Sequence, residues 1–113
     1  MRSRLVPDAS LGLQLFLRRL RAVLKDPRRV RFIERDKNRD AMERYNLTVP
    51  GICKRLERLS AAQYWKGPES DDDGSDGSVW FFFHDEFGAR FYVKLKLFAI
   101  DGTDWLKILS FHD

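Results

Sequence analysis

Hydrophobic and polar residues alternate most strictly near the C-terminal end of the chain, from Phe91 to Leu97. Successive side chains of a β-strand point to opposite faces of a sheet. One face of this segment is therefore wholly apolar and suited to burial, whereas the other carries Tyr92, Lys94 and Lys96. The pattern predicts a strand that contributes one face to a core and presents a phenol and two ammonium groups on the other.

The last residues of the chain form a second alternating segment, which ends on Ser110-Phe111-His112-Asp113. We expect Ser110 and His112 to share the polar face, and Leu109 and Phe111 to face the core. Three strands are predicted in this region, over residues 79–84, 89–98 and 105–112, because glycine-containing turns of hairpin length separate them.

Helical spacing replaces alternation in the N-terminal half of the chain. Apolar residues recur three and four positions apart over residues 9–25, which predicts an amphipathic helix with Asp8 or Ser10 as its cap. Residues 36–45 predict a second helix. A third helix is expected to begin at Thr48-Val49-Pro50, because proline favours the first turn of a helix.

The connections complete a prediction of one α+β domain over residues 1–113. Residues 30–34 favour a short strand between the first two helices. Residues 67–78 are rich in Gly, Ser and Asp and predict a flexible acidic loop. Met1-Arg2-Ser3-Arg4 leads into the first helix without a small-residue cleavage site, so it does not read as a signal peptide.

Charge is distributed unevenly along the chain, although the net charge of the 113 residues is only +4. Residues 1–66 carry 17 Lys and Arg against 7 Asp and Glu, a net +10, whereas residues 67–113 carry 4 against 10, a net −6. A basic half suits a polyanion such as nucleic acid. Solvated helix surfaces would explain the same charges about as well.

The single cysteine, Cys53, excludes an intrachain disulfide and favours a reducing, cytoplasmic location. No apolar run is long enough to cross a membrane, so no membrane partner is expected. Two histidines and one cysteine, far apart in sequence, make a poor zinc set, and no metal or other cofactor is predicted.

Short motifs along the chain resemble those of the MqsR-type toxins of bacterial toxin–antitoxin systems. The motifs occur in the same order over residues 29–111, and their ordered set is more specific than any one of them. They are Pro50-Gly51-Ile52-Cys53, Leu59-Ser60, Tyr64-Trp65-Lys66, Val79-Trp80, Tyr92-Val93-Lys94 and Ser110-Phe111.

The resemblance implies a RelE-like fold, in which helices pack on one face of a small antiparallel sheet. It also implies a metal-independent endoribonuclease that cleaves mRNA, and a neutralising antitoxin of helix-turn-helix type encoded by an adjacent gene. Family active-site positions fall on Lys66, Tyr92 and His112. The chain departs from the family where His112 replaces a lysine and where Phe81 replaces a glutamine.

RNA cleavage requires proton transfer and stabilisation of negative charge on the phosphorane. Histidine suits proton transfer, since its ordinary pKa is about 6.5. His112 is therefore the candidate acid or base. Lys66 or Lys94 would stabilise the phosphate, and Tyr92 would position it.

Five further residues are candidate RNA contacts. Tyr64 and Trp65 could stack on bases, although both could equally close the core at a helix end. Arg31 and Arg35 could extend the basic surface, and Lys96 could be a solvated charge near the site.

Two other functions remain open at this stage. The same basic surface would serve a non-catalytic RNA- or DNA-binding module, or a protein-interaction adaptor. The acidic loop could be a simple connection, or it could screen the basic site.

Overall fold

The computed structural model describes residues 7–75 and 77–113, and the side chains of residues 11–75 and 77–113. The basic residues 1–4 and the side chains of Asp8 and Ser10, the expected helix caps, lie outside this part. Three helices are described: α1 (Pro7–Leu24), α2 (Asp36–Arg44) and α3 (Val49–Leu56). The five strands are β1 (Val30–Phe32), β2 (Tyr64–Ser70), β3 (Ser78–Glu86), β4 (Ala89–Ile100) and β5 (Thr103–His112). This content confirms the predicted α+β class.

The strands form one sheet in the order β1-β5-β4-β3-β2. The pairs β2–β3, β3–β4 and β4–β5 are antiparallel, whereas β1 pairs with β5 in parallel. The sheet is therefore mixed, and the expectation of a purely antiparallel sheet is wrong at this edge. A parallel pair needs a long crossover, and the helices and strands between β1 and β5 provide it.

One face of the sheet packs against the helices and forms the main core. Alternation places Phe82 of β3 and Val93 of β4 on this face, where neither side chain is exposed to solvent. Leu20 of α1 and Ile52 of α3 are equally buried opposite them. Burial of this apolar surface is the main stabilising contribution to the fold.

The third helix begins where the sequence predicts. The Thr48 hydroxyl accepts a hydrogen bond from the Gly51 amide at 3.1 Å, and Pro50 occupies the first turn. The helix ends at Leu56, and Leu59 lies beyond it but is still buried in the core. These contacts fix the direction of the chain as it approaches β2.

Strand β2 was not predicted, because its second half lies in the segment expected to be loop. Gly67 and Pro68 lie inside β2, and the pairing with β3 shifts register on both sides of Lys66. An edge strand tolerates proline and such irregularities, since one of its edges makes no ladder hydrogen bonds. The acidic connection therefore starts after Ser70.

Strand β5 contains a bulge at Leu109, because Lys94 pairs with Ser110 whereas Leu95 pairs with Ile108. The extra residue turns Leu109 away from the main core, into a small cluster with Val79 and Phe81 on the opposite face. The expectation that Leu109 shares the core face with Phe111 is wrong for this reason.

Among the described residues, none of the helices is both long enough and apolar enough to span a membrane.

Candidate functional site

The helices leave the other side of the sheet uncovered, and we call this side the open face. Aromatic side chains lie in contact across three strands there: Trp65 of β2, Phe81 and Phe83 of β3, and Tyr92 of β4. Trp65 lies 4.8 Å from Phe83 and 5.7 Å from Tyr92 between ring centroids. Its side chain is 44% exposed, which gives a flat ring accessible to a ligand. We call these four residues the aromatic cluster.

His112 lies beside this cluster. It pairs directly with Tyr92 in the β4–β5 register, and the two ring centroids are 5.7 Å apart. Both side chains are half-buried. An imidazole and a phenol thus stand side by side on the open face, with Ser110 two residues away opposite Lys94.

Two lysines reach the same aromatic ring from neighbouring strands. The ammonium of Lys66 lies 4.5 Å from the centre of the Phe81 ring, and that of Lys94 lies 5.7 Å from it. Lys66 also lies 4.6 Å from the Trp65 ring and pairs with Glu69 at 3.3 Å. Two ammonium groups therefore lie over the apolar Phe81 ring, where one anion could contact both.

Phe81 of β3 lies at the centre of this group. The aromatic ring supports Lys66 and Lys94 from below and is itself only 5% exposed. It therefore positions the cations through packing rather than through a polar contact. Lys66, Lys94 and Tyr92 contact Phe81 directly, and His112 reaches this group through Tyr92.

Asn38 of α2 holds the bulged end of β5 in place, and sequence reasoning missed it. Its side-chain amide donates to the carbonyl oxygens of Ile33 at 2.9 Å and Leu109 at 3.1 Å. Its carbonyl oxygen accepts from the Phe111 amide at 3.0 Å. The side chain is fully buried, so these three bonds satisfy groups that water cannot reach. The sequence shows only an asparagine within a predicted helix, and that alone does not indicate this role.

The expectation that Lys96 is a solvated or RNA-contacting charge is wrong. Lys96 is only 1% exposed, although it lies on the open face of β4. Its ammonium donates to Asp71 at 2.6 Å and to the Ser75 hydroxyl. The Lys96 hydrogen bond lowers the pKa of the Asp71 carboxyl below its ordinary value. The acidic connection thus folds over Lys96 and neutralises it.

Tyr64 does not join Trp65 on the open face. Alternation turns its ring to the helical side, where it packs against Trp80 and Phe82. Its hydroxyl donates to the Gly67 carbonyl at 2.7 Å. Tyr64 therefore closes the core, which was the alternative considered for it, and the stacking role remains with Trp65 alone.

The two candidate arginines lie at the β1 edge of the sheet. Arg31 is exposed and lies over the Trp105 ring, 5.0 Å from its centroid. Arg35 is exposed immediately before α2. Neither contacts the aromatic cluster directly, so Arg31 belongs to a different part of the open face.

His84 lies on the helical side of the sheet, near the end of β3, where it packs against Phe91 and Phe111. Its side chain is 16% exposed, and Nε2 lies 2.7 Å from Glu86. Arg55 binds the same carboxylate through two nitrogens, at 2.6 and 2.9 Å. These bonds, chiefly that from Arg55, lower the pKa of Glu86 to about 2. Arg55, Glu86 and His84 together link α3 to β3, and all three side chains lie on the side away from the open face.

Comparison with protein-family models, with curated proteins and with solved structures finds no match to this chain.

Proposed function

We propose that this protein is an endoribonuclease that cleaves mRNA at the open face without a metal ion. The observation that carries the proposal is a chain of contacts on the open face: Lys66 and Lys94 lie over the Phe81 ring, Phe81 contacts Tyr92, and Tyr92 contacts His112. The described helices all pack on one side of the sheet, which also fits the RelE-like arrangement that the sequence motifs imply.

Cleavage would proceed by attack of a ribose 2′-oxygen on the adjacent phosphorus. The P–O5′ bond breaks as the new P–O bond forms, which leaves a 2′,3′-cyclic phosphate and a free 5′-hydroxyl. His112 carries one of the two proton transfers, from the 2′-hydroxyl or to the leaving 5′-oxygen, and solvent water carries the other. The Tyr92 hydroxyl donates a hydrogen bond that orients the phosphate.

The lysines stabilise the charge that grows on the phosphorane oxygens. Lys66 and Lys94 approach the Phe81 ring from different strands, so a phosphate above this ring would lie between two ammonium groups. Because they supply positive charge directly, the reaction needs no metal ion. The exposed Trp65 ring stacks on a neighbouring base and holds the substrate in register.

The proposal includes a biological setting. The protein would act as the toxin of a bacterial type II toxin–antitoxin system, in the cytoplasm where mRNA is found. A helix-turn-helix antitoxin encoded by an adjacent gene would neutralise it by covering the open face or the basic helices. Growth arrest on induction, relieved by co-expression of the adjacent gene, is the expected result in cells.

The decisive experiment incubates purified protein with labelled single-stranded RNA in the presence of EDTA. We expect fragments that end in a 2′,3′-cyclic phosphate or a 3′-phosphate. Substrates with 2′-deoxyribose at the cleaved position should remain intact. His112→Ala should reduce the rate by about 100-fold or more, the usual contribution of a positioned acid or base.

Lys25→Ala is the matched control for Lys66→Ala, because it removes the same charge from the exposed end of α1. It should leave cleavage unchanged, whereas Lys66→Ala should slow it. A His112→Ala protein that cuts at the wild-type rate removes His112 from the mechanism. Salt-sensitive RNA binding without cuts would establish a binding module instead. If the protein neither binds nor cleaves RNA, a protein-interaction adaptor is the remaining function.

A further inference from the structure

A second group of aromatic and cationic side chains lies on the open face, far from His112. Phe98 of β4 pairs with Trp105 of β5. The Arg31 guanidinium lies 5.0 Å from the Trp105 ring centroid, and the Lys107 ammonium lies 5.4 Å from that of Phe98. We call these four residues the Trp105 patch.

Strand register places the Trp105 patch on the same side as the aromatic cluster. Phe98 follows Tyr92, Lys94 and Lys96 at alternate positions of β4, so all four point to the open face. Lys107 pairs with Lys96, and Arg31 pairs with Lys107. The patch therefore continues the open face toward its β1 edge.

The cations of the Trp105 patch form no direct ion pair within the described part of the chain, although Asp73, whose carboxyl pKa is lowered chiefly by hydrogen bonds from Ser75, is close enough to Lys107 for this lysine to contribute to the lowering. Within residues 7–75 and 77–113, no salt bridge joins Arg31 or Lys107 to an acidic side chain. Asp104 is next to Trp105 in sequence but binds Arg19 of α1, at 2.8 and 2.9 Å. Asp71, in the acidic connection, is occupied by Lys96. An incoming anion would therefore meet Arg31 and Lys107 without displacing a direct ion pair to any described acidic residue.

We propose that the Trp105 patch is a second binding site for single-stranded RNA, which holds nucleotides outside the cleaved position. The inference rests on the proposed function, because it extends the same substrate along the same face. Each of the two neighbouring rings, Trp105 and Phe98, has a cation beside it, and this arrangement matches a strand in which bases alternate with phosphates. An acidic peptide would use the cations but would leave the rings without a stacking partner.

The distance between the two sites supports binding of one strand at both. Lys107 and His112 pair with Lys96 and Tyr92 of β4, which are four residue steps apart, or about 13 Å along a strand. Stacked nucleotides rise about 3.4 Å each, so the sites contact different nucleotides several positions apart. A substrate of two or three nucleotides at the aromatic cluster would not reach Trp105.

The test measures binding of fluorescent RNA of increasing length, with 2′-deoxyribose at the cleaved position to prevent cutting. Trp105→Leu removes the flat ring but keeps apolar volume, and circular dichroism confirms that the variant is folded. Ten-nucleotide RNA should bind about 5- to 150-fold more weakly to this variant, the range for one lost stacking contact. Trinucleotide binding should not change, and Trp105→Phe should retain most of the affinity.

Cleavage kinetics provide a second measurement. Trp105→Leu and Arg31→Ala should raise KM for long RNA and leave kcat at saturation unchanged, whereas the control Lys25→Ala should alter neither. Equal affinity of wild type and Trp105→Leu for RNA of every length overturns the inference. Binding of poly-glutamate, but not of RNA, that depends on Trp105 also overturns it and assigns the patch to a protein partner. Trp105-dependent RNA binding without any cleavage refutes the proposed nuclease and leaves this inference standing.

Discussion

The two faces of the sheet are both rich in aromatic residues but are covered in different ways. On the helical face, Phe82 is fully buried under α1 and the neighbouring strands. On the open face, Phe81 is almost as buried, yet no helix covers it. Trp65, Tyr92 and the lysines cover it instead. The comparison shows that the side chains of the candidate site also shield a thin apolar layer.

Neighbouring aromatic residues of β3 therefore differ in what they contribute: those under the helices stabilise the fold, and those on the open face can contact a ligand. A ring under a helix contributes to folding through complete burial, since it makes close contacts on all sides. A ring that covers an open face keeps one side free to contact a ligand. Adjacent residues of β3 should therefore respond differently to the same substitution.

Phe82→Ala and Phe83→Ala test this difference most strongly. Phe82→Ala should lower the free energy of unfolding by about 4 kcal/mol, because it leaves a cavity in the main core. Phe83→Ala should cost about 1 kcal/mol, because the Phe83 side chain is only half-buried. Urea unfolding followed by circular dichroism measures both values, and equal losses would contradict the comparison.

Asn38→Leu should disturb the open face from the helical side. It leaves the carbonyl oxygens of Ile33 and Leu109 and the amide of Phe111 without partners, at a cost of about 3 to 4 kcal/mol. Proton NMR reports directly on the site, because the chain contains only two histidines. The His112 resonance should shift more than that of His84, which contacts the same segment only through the Phe111 ring. Lys37→Leu, an exposed position of the same helix, is the control and should change stability by less than about 0.5 kcal/mol.

Asp71→Asn should destabilise the open face at Lys96. The substitution leaves the Lys96 ammonium buried without its counter-charge, and we expect a loss of about 2 to 3 kcal/mol. Because the folded-state pKa of Asp71 is lowered, its contribution is present above the ordinary carboxyl pKa of 3.8 and is lost as the pH falls below it. Unfolding curves at pH 7 and pH 3 should therefore differ less for Asp71→Asn than for the wild type.

Glu69→Gln is expected to have the smallest effect. Glu69 pairs with Lys66 at 3.3 Å on an exposed surface and, under the proposed function, would compete with an RNA phosphate for the Lys66 ammonium. Its removal should strengthen RNA binding by about two- to threefold, within the range for a surface ion pair. Glu57→Gln makes the same change of charge at the exposed end of α3 and should have less effect. Titration of labelled RNA measures both, and unchanged affinity for Glu69→Gln would show that Lys66 does not contact the substrate.

Local pattern predicted most of the elements, because their signals lie within a few residues. The three helices, β1 and the three C-terminal strands lie close to their expected bounds. Strand β2 escaped prediction, since glycine and proline resemble a loop and only pairing with β3 makes the segment a strand. The two alternatives for Tyr64, stacking on a base or closing the core, stayed open for the same reason, because alternation across an unpredicted strand could not be applied.

The sequence by itself determined which residues of β4 share a face, since strand alternation depends only on position in the chain. It therefore placed Tyr92 and Lys94 together before any contact was known. Only the tertiary structure decided that this face stays free of helices and that the bulge at Leu109 brings His112 opposite Tyr92. It also decided that Lys96 is buried beneath Asp71. The reason is physical: these outcomes depend on hydrogen bonds and packing between residues that are distant in sequence, and local periodicity contains no information about them.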